Sequence, residues 1–185
     1  EKLTHNIDAI ILQDYNKGVL TKNIIEKILS LANNKNIPTI VDPKKHNFLS
    51  YKNCTLFKPN LKEIKDGLNI SDDINDFNEI EKITSKLRDI ISAKAILLTL
   101  SNKGIFLNTN NGSKLTESTT TNVIDVSGAG DTVVSVAAMC LACNIDFNEL
   151  AILANIAGGI VCEKVGVVPI TNQELLDRAK KLLNV

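Results

Sequence analysis

Hydrophobic positions along the chain fall into two patterns. Residues 7–12, 37–41, 54–57 and 95–100 are short runs rich in β-branched residues, without regular polar alternation. Such runs are expected of parallel strands covered on both faces. Residues 21–32 instead place Ile24, Ile25, Ile28, Leu29 and Leu31 at helical spacing, with Thr21 as a candidate N-cap. Residues 74–92 repeat the helical pattern through Ile74, Phe77, Ile80, Ile83, Leu87 and Ile91. Residues 104–107 and 114–116 flank Asn110-Asn111-Gly112, a strong hairpin turn. The remainder reads as helices over 129–143, 147–164 and 171–183, the last opened by a capping box from Thr171 to Glu174. Alternating strands and helices predict an α/β fold, a doubly wound and mostly parallel sheet with helices on both faces and a C-terminal helical layer.

The densest chemistry lies at Asp125-Val126-Ser127-Gly128-Ala129-Gly130-Asp131-Thr132. The β-branched run 119–126 predicts a strand leading into a small-residue turn and then a helix. Gly128, Ala129 and Gly130 leave bare backbone amides at the positive end of that helix, an arrangement suited to a phosphate. Asp131 would repel such an anion unless it has a task, and the fitting task is to take a proton from an attacking hydroxyl. The same residues also read as plain structure, with Ser127 capping the helix and Asp131 favouring its dipole. No Gly-Lys-Ser/Thr follows, so this is not a Walker loop. A dinucleotide fingerprint fits poorly, because the turn lies two-thirds along the chain and Asp131 would meet the pyrophosphate.

Composition narrows the alternatives. Lysine plus arginine number 21 against 21 acidic residues, so net charge gives no reason to expect nucleic acid as a partner. No apolar run approaches membrane-spanning length and no signal peptide is recognisable, so no membrane partner is expected. The four cysteines make no disulfide framework in 185 residues, which fits a reducing cytoplasm. Cys140 and Cys143 lie three apart in an apolar helical run and read as core packing; His5 and His46 are isolated and read as surface.

The stretch Asp125–Val136 resembles the C-terminal signature of the PfkB, ribokinase-like carbohydrate kinases. Gln13-Asp14-Tyr15-Asn16-Lys17-Gly18, Val41-Asp42-Pro43-Lys44, Lys58-Pro59-Asn60-Leu61-Lys62-Glu63 and Ala154-Asn155-Ile156-Ala157-Gly158-Gly159 resemble the heptose 7-phosphate kinase branch in order and spacing. The resemblance covers essentially the whole chain, but only about the second half of such a kinase domain. With Glu1 rather than Met at the start, it implies that residues 1–185 are the C-terminal portion, with the N-terminal part and lid missing.

The implied activity is ATP-dependent phosphorylation of D-glycero-D-manno-heptose 7-phosphate at its anomeric hydroxyl. Another PfkB kinase acting on ribose, fructose or a nucleoside is the alternative within enzymes. A nucleotide-binding fragment without turnover is the alternative outside them.

The resemblance makes Asp131 the catalytic base and Gly128–Gly130 the anion hole. It places Mg²⁺, through water, at Asn60 and Glu63, which alone read equally well as a capping box. It puts the nucleotide beside Thr99, Ser101, Gly104, Asn155 and Gly158, with glycine usual in the family where Ser101 stands. It implies a monovalent cation, K⁺, at Asp125, and a homodimeric parent. Asp14, Lys17 and Lys44 follow strands at the ligand edge, and the lysines are candidates for the distal phosphate of a sugar phosphate. Asp42 reads as structural.

Overall fold

The computed structural model describes residues 6–71, 74, 76–120 and 122–183. Six strands run in chain order across one sheet: β1 (Ile10–Gln13), β2 (Thr39–Asp42), β3 (Leu56–Phe57), β4 (Ala95–Thr99), β5 (Ile105–Thr109) and β6 (Gly112–Thr116). β1 to β4 pair parallel, while β5 and β6 pair antiparallel. β2 and nearly all of β4 are buried, as expected of parallel strands covered on both faces. β3 is shorter than its apolar run. Before it, Thr39 and Thr55 exchange hydrogen bonds, each hydroxyl accepting the other's backbone N–H at 3.0 and 3.1 Å.

Helices cover both faces. α1 (Lys22–Asn34), α2 (Leu61–Leu68) and α3 (Phe77–Ile91) enclose a core containing Ile25, Leu29, Val41, Phe57, Ile64, Leu87 and Phe106. α4 (Ala129–Ala142) and α5 (Phe147–Cys162) enclose the opposite core with Ile40, Leu56, Leu97, Val133, Ala137, Leu150 and Ala154. α6 (Asn172–Leu183) packs on α5. Caps set several boundaries. Thr21 accepts the Ile24 N–H, Asp76 caps α3 so that it starts three residues later than periodicity suggests, and Thr171 and Glu174 form their capping box. α5 stops at Cys162, whose carbonyl accepts the N–H groups of Ile124 and Asp125.

The β-branched run before the glycine turn is not a strand. Its described residues have no ladder partner and are tied instead to α5: Thr120 donates to the Gly159 carbonyl and Ile124 to that of Cys162. Cys140 is buried in the core, but Cys143 is exposed at the end of α4, a correction to its reading as core. His46 is exposed as expected, and His5 lies outside the described residues. Among the described residues, no helix is long and apolar enough to cross a membrane.

Candidate active site

The carboxyl ends of the parallel strands deliver a row of polar side chains to one edge. Gln13 ends β1 opposite Asp42, which ends β2, and donates its amide N–H to the Asp42 carboxylate. Just past β3, the Lys58 N–H bonds the Val41 carbonyl at 2.8 Å and its ammonium lies 2.9 Å from Asp42 Oδ1. Lys58 is only 3% exposed, and this pair is a charge contact without hydrogen-bond alignment.

Two residues on, Asn60 caps α2. Its Oδ1 accepts the Glu63 N–H at 2.8 Å, and Glu63 Oε2 accepts the Asn60 N–H at 2.9 Å. The other Glu63 oxygen accepts from Lys44. Burial alone would lower the Lys44 ammonium, but its bond to Glu63 and the carboxylates of Asp42, Glu63 and Asp14 hold it above its ordinary value.

The glycine turn faces this row from the other side. Gly128 is the N-cap of α4 at φ +79, where a Cβ would stand 3.2 Å from Val167 Cγ1. No side chain caps the helix, so Ser127 does not serve as the cap. Its N–H is turned back to Asp125 Oδ1 at 2.9 Å, while Gly166 N–H donates to Asp125 Oδ2 at 2.9 Å. These bonds, that of Ser127 first, hold the Asp125 carboxyl below the usual range.

Ala129 donates its N–H to the Val126 carbonyl at 3.2 Å, leaving Gly130 and Asp131 as the first-turn amides without an intrahelical partner. A Cβ on Gly130 would lie 3.8 Å from Lys58 Nζ. The positive end of α4 and a buried ammonium thus converge on one point, where both favour an anion. Asp131 stands exposed in the same first turn, and the Tyr15 hydroxyl approaches its Oδ1 at 3.5 Å.

A cleft of about 630 Å³ joins these walls. Its lining brings together Lys44, Asn60, Glu63, Thr99, Ser101, Gly104, Ala129, Gly130, Asn155 and Gly158, as well as Asp42 and Lys58. Ser101 adopts φ +55, the left-handed region in which glycine is the natural occupant. Asn155 is buried and donates to the Glu117 carbonyl at 2.7 Å, so one face of its amide braces the wall it lines.

Asp14, Lys17, Asp125, Gly128 and Asp131 are not among the residues lining the cleft. Asp14 is 2% exposed, and its carboxylate accepts from Tyr51 OH, the Asn16 N–H and Asn47 Nδ2 at 2.7, 2.7 and 3.3 Å. These bonds tie it to the loop after β1 and leave it buried beneath that loop. Lys17 is exposed on that loop. Lys58 escaped the sequence reading, since one lysine after an apolar run looks solvated; its position at the end of a parallel strand was the available signal.

A family profile for pfkB family carbohydrate kinases matches residues 1–174. The chain belongs to the pfkB carbohydrate kinase family. It is 37% identical over 167 residues to the bifunctional protein HldE of Campylobacter jejuni (strain RM1221), covering 90% of this chain and 36% of that protein. The HldE of Koribacter versatilis is 35% identical over 181 residues, covering 96% and 37%. The chain therefore spans a little over a third of the length of these curated relatives.

Among solved structures, phosphofructokinase-2 from Escherichia coli in complex with potassium superposes with a TM-score of 0.84 at 19% identity, covering 96% of this chain and 58% of that one. Ribokinase from Thermotoga maritima gives 0.70 at 23%, covering 93% and 57%. These likenesses are of fold, and they agree with a ribokinase-like pfkB sheet covered by helices on both faces.

Proposed function

We propose that this pfkB chain is the C-terminal portion of a kinase domain that transfers phosphate from ATP to a sugar phosphate, with heptose 7-phosphate as the acceptor and its anomeric hydroxyl as the site of transfer. The observation that carries the reading is the convergence of the uncapped first turn of α4 on Lys58, with Asp131 in that same turn. The acceptor is read from the segments that resemble heptose 7-phosphate kinases and from relatives named HldE.

In this mechanism Asp131 accepts the proton of the acceptor hydroxyl as that hydroxyl's oxygen attacks the terminal phosphorus of ATP, and the bond from that phosphorus to its bridging oxygen breaks to release ADP. The amides of the first turn and the Lys58 ammonium stabilise the charge on the transferred phosphoryl. Thr99, Ser101, Gly104, Asn155 and Gly158 form the nucleotide wall. Lys17, exposed and on an anchored loop, is the better placed candidate for the distal sugar phosphate, because Lys44 is engaged by Glu63.

The donor set at α2 fits a metal held at one remove. The Asn60 and Glu63 groups are already bonded to one another and to Lys44, so they would hold Mg²⁺ through its waters, where it would screen the phosphates. Asp125, half-buried and kept ionised by two backbone N–H groups, would serve a monovalent cation.

The test is Asp131→Ala, assayed for ADP release with heptose 7-phosphate, ribose and fructose 6-phosphate. The assay uses the chain as it stands and a form extended at its N-terminus. Turnover with heptose 7-phosphate should fall about 10²–10⁴-fold. Near-native turnover in the variant would remove Asp131 from the mechanism, and preference for another sugar would replace the acceptor.

A further inference from the structure

The loop between β1 and α1 carries a large aromatic side chain that neither the core nor the proposed mechanism uses. Tyr15 is 61% exposed, yet its backbone stands on a rigid platform. On one side Asp14 is buried, its N–H bonded to the Asp42 carbonyl at 3.0 Å and its carboxylate held by Asn16, Asn47 and Tyr51. On the other side Asn16 and Gly18 take left-handed backbone conformations at φ +53 and +85. That platform holds the ring over α4, where the Tyr15 hydroxyl reaches Asp131 Oδ1 across 116 positions of sequence. It is the contact to the Asp131 carboxylate among the described residues.

We propose that Tyr15 is a positioning residue for the base, donating its hydroxyl to Asp131 Oδ1 and so aiming Oδ2 at the acceptor hydroxyl. The inference rests on the reading of Asp131 as that base. At 3.5 Å the bond is long, as is common for catalytic hydrogen bonds before substrate is bound, and substrate closes it. The carboxylate of an exposed aspartate in a first helical turn otherwise turns freely about its side-chain torsions. A donor fixed on a separate element removes that freedom, which lowers the cost of reaching an attack geometry. Buried Asp14 gains a purpose in the same picture, since it anchors the loop from which Tyr15 projects.

Kinetics separate this role from ring packing or simple support. On whichever form of the protein turns over, Tyr15→Phe should lower kcat about tenfold with the KM for ATP unchanged, because the phenyl ring stays and one hydrogen bond to a charged group is lost. In an Asp131→Asn background the same change should cost less than about twofold, the non-additivity expected when one residue acts through another. A Tyr15→Phe enzyme within twofold of the parent, or equal losses in both backgrounds, would overturn the proposal. A parent without phosphotransfer would instead count against the kinase reading.

The contact itself can then be read by emission, since the chain has no tryptophan and only two tyrosines. Asp131→Asn should alter tyrosine emission in the parent and leave it unaltered in Tyr15→Phe. No change in the parent would show that the two side chains do not meet.

Discussion

Lys58 is the side chain on which stability and chemistry meet. A lysine 3% exposed with its ammonium 2.9 Å from Asp42 can persist only because the carboxylate compensates its charge. Removing one member strands the other, so Lys58→Met should destabilise the fold by about 3–5 kcal/mol in urea unfolding. Adding Asp42→Asn should recover most of that loss, since the buried charges are then both gone. Affinity for a Mg²⁺–ATP analogue should stay weak in the double variant, because the cation near Gly130 is still missing. Recovery of binding together with stability would make the pair purely structural. The sequence showed Lys58 only as part of a resembled segment, and its burial follows from packing between β2, β3 and α4 that no local pattern encodes. The place of Asp131 in the first turn of α4 was legible for the opposite reason, because glycines and an acid at a helix start are a local arrangement.

Elements were legible where their signal is local and was misread where it depends on partners. The caps at Thr21, Asn60 and Thr171 formed as their spacing implied, and the Asn110-Asn111-Gly112 turn joins β5 to β6. The run 119–126 carries the same β-branched signal as a strand, but strand formation needs a neighbour with free backbone groups. There the carbonyls of α5 take that place.

Gly104 shows how far one turn can be read. Its sequence marks a turn, whereas the structure shows φ +99 and an ideal Cβ only 2.1 Å from the Thr116 carbonyl. Gly104→Ala should therefore cost well over about 1 kcal/mol by urea unfolding. Gly112→Ala, with φ +120 and open space around it, meets strain without a clash and should cost less. Equal losses would mean that the strand approach at Gly104 relaxes freely.

At the scale of the molecule, the cleft takes walls from both helical layers. Asn60 and Glu63 belong to the side built on α2, whereas Gly130, Asn155 and Gly158 come from α4 and α5. The sheet separates the two cores, so a ligand spanning its carboxyl edge touches elements packed on opposite faces of the sheet. Binding should stabilise both layers together. At a Mg²⁺–ATP analogue concentration of 100 times its dissociation constant, linkage gives about 2.7 kcal/mol. For a chain of this size that raises the melting temperature by about 5–10 °C. The measurement is scanning calorimetry with and without the analogue, following one transition. A single peak that moves as a whole means that the cleft ties the layers into one cooperative unit. Two peaks, only one of which moves, would mean that the nucleotide engages a single wall, and the α2 side would then lose its proposed part in holding the metal.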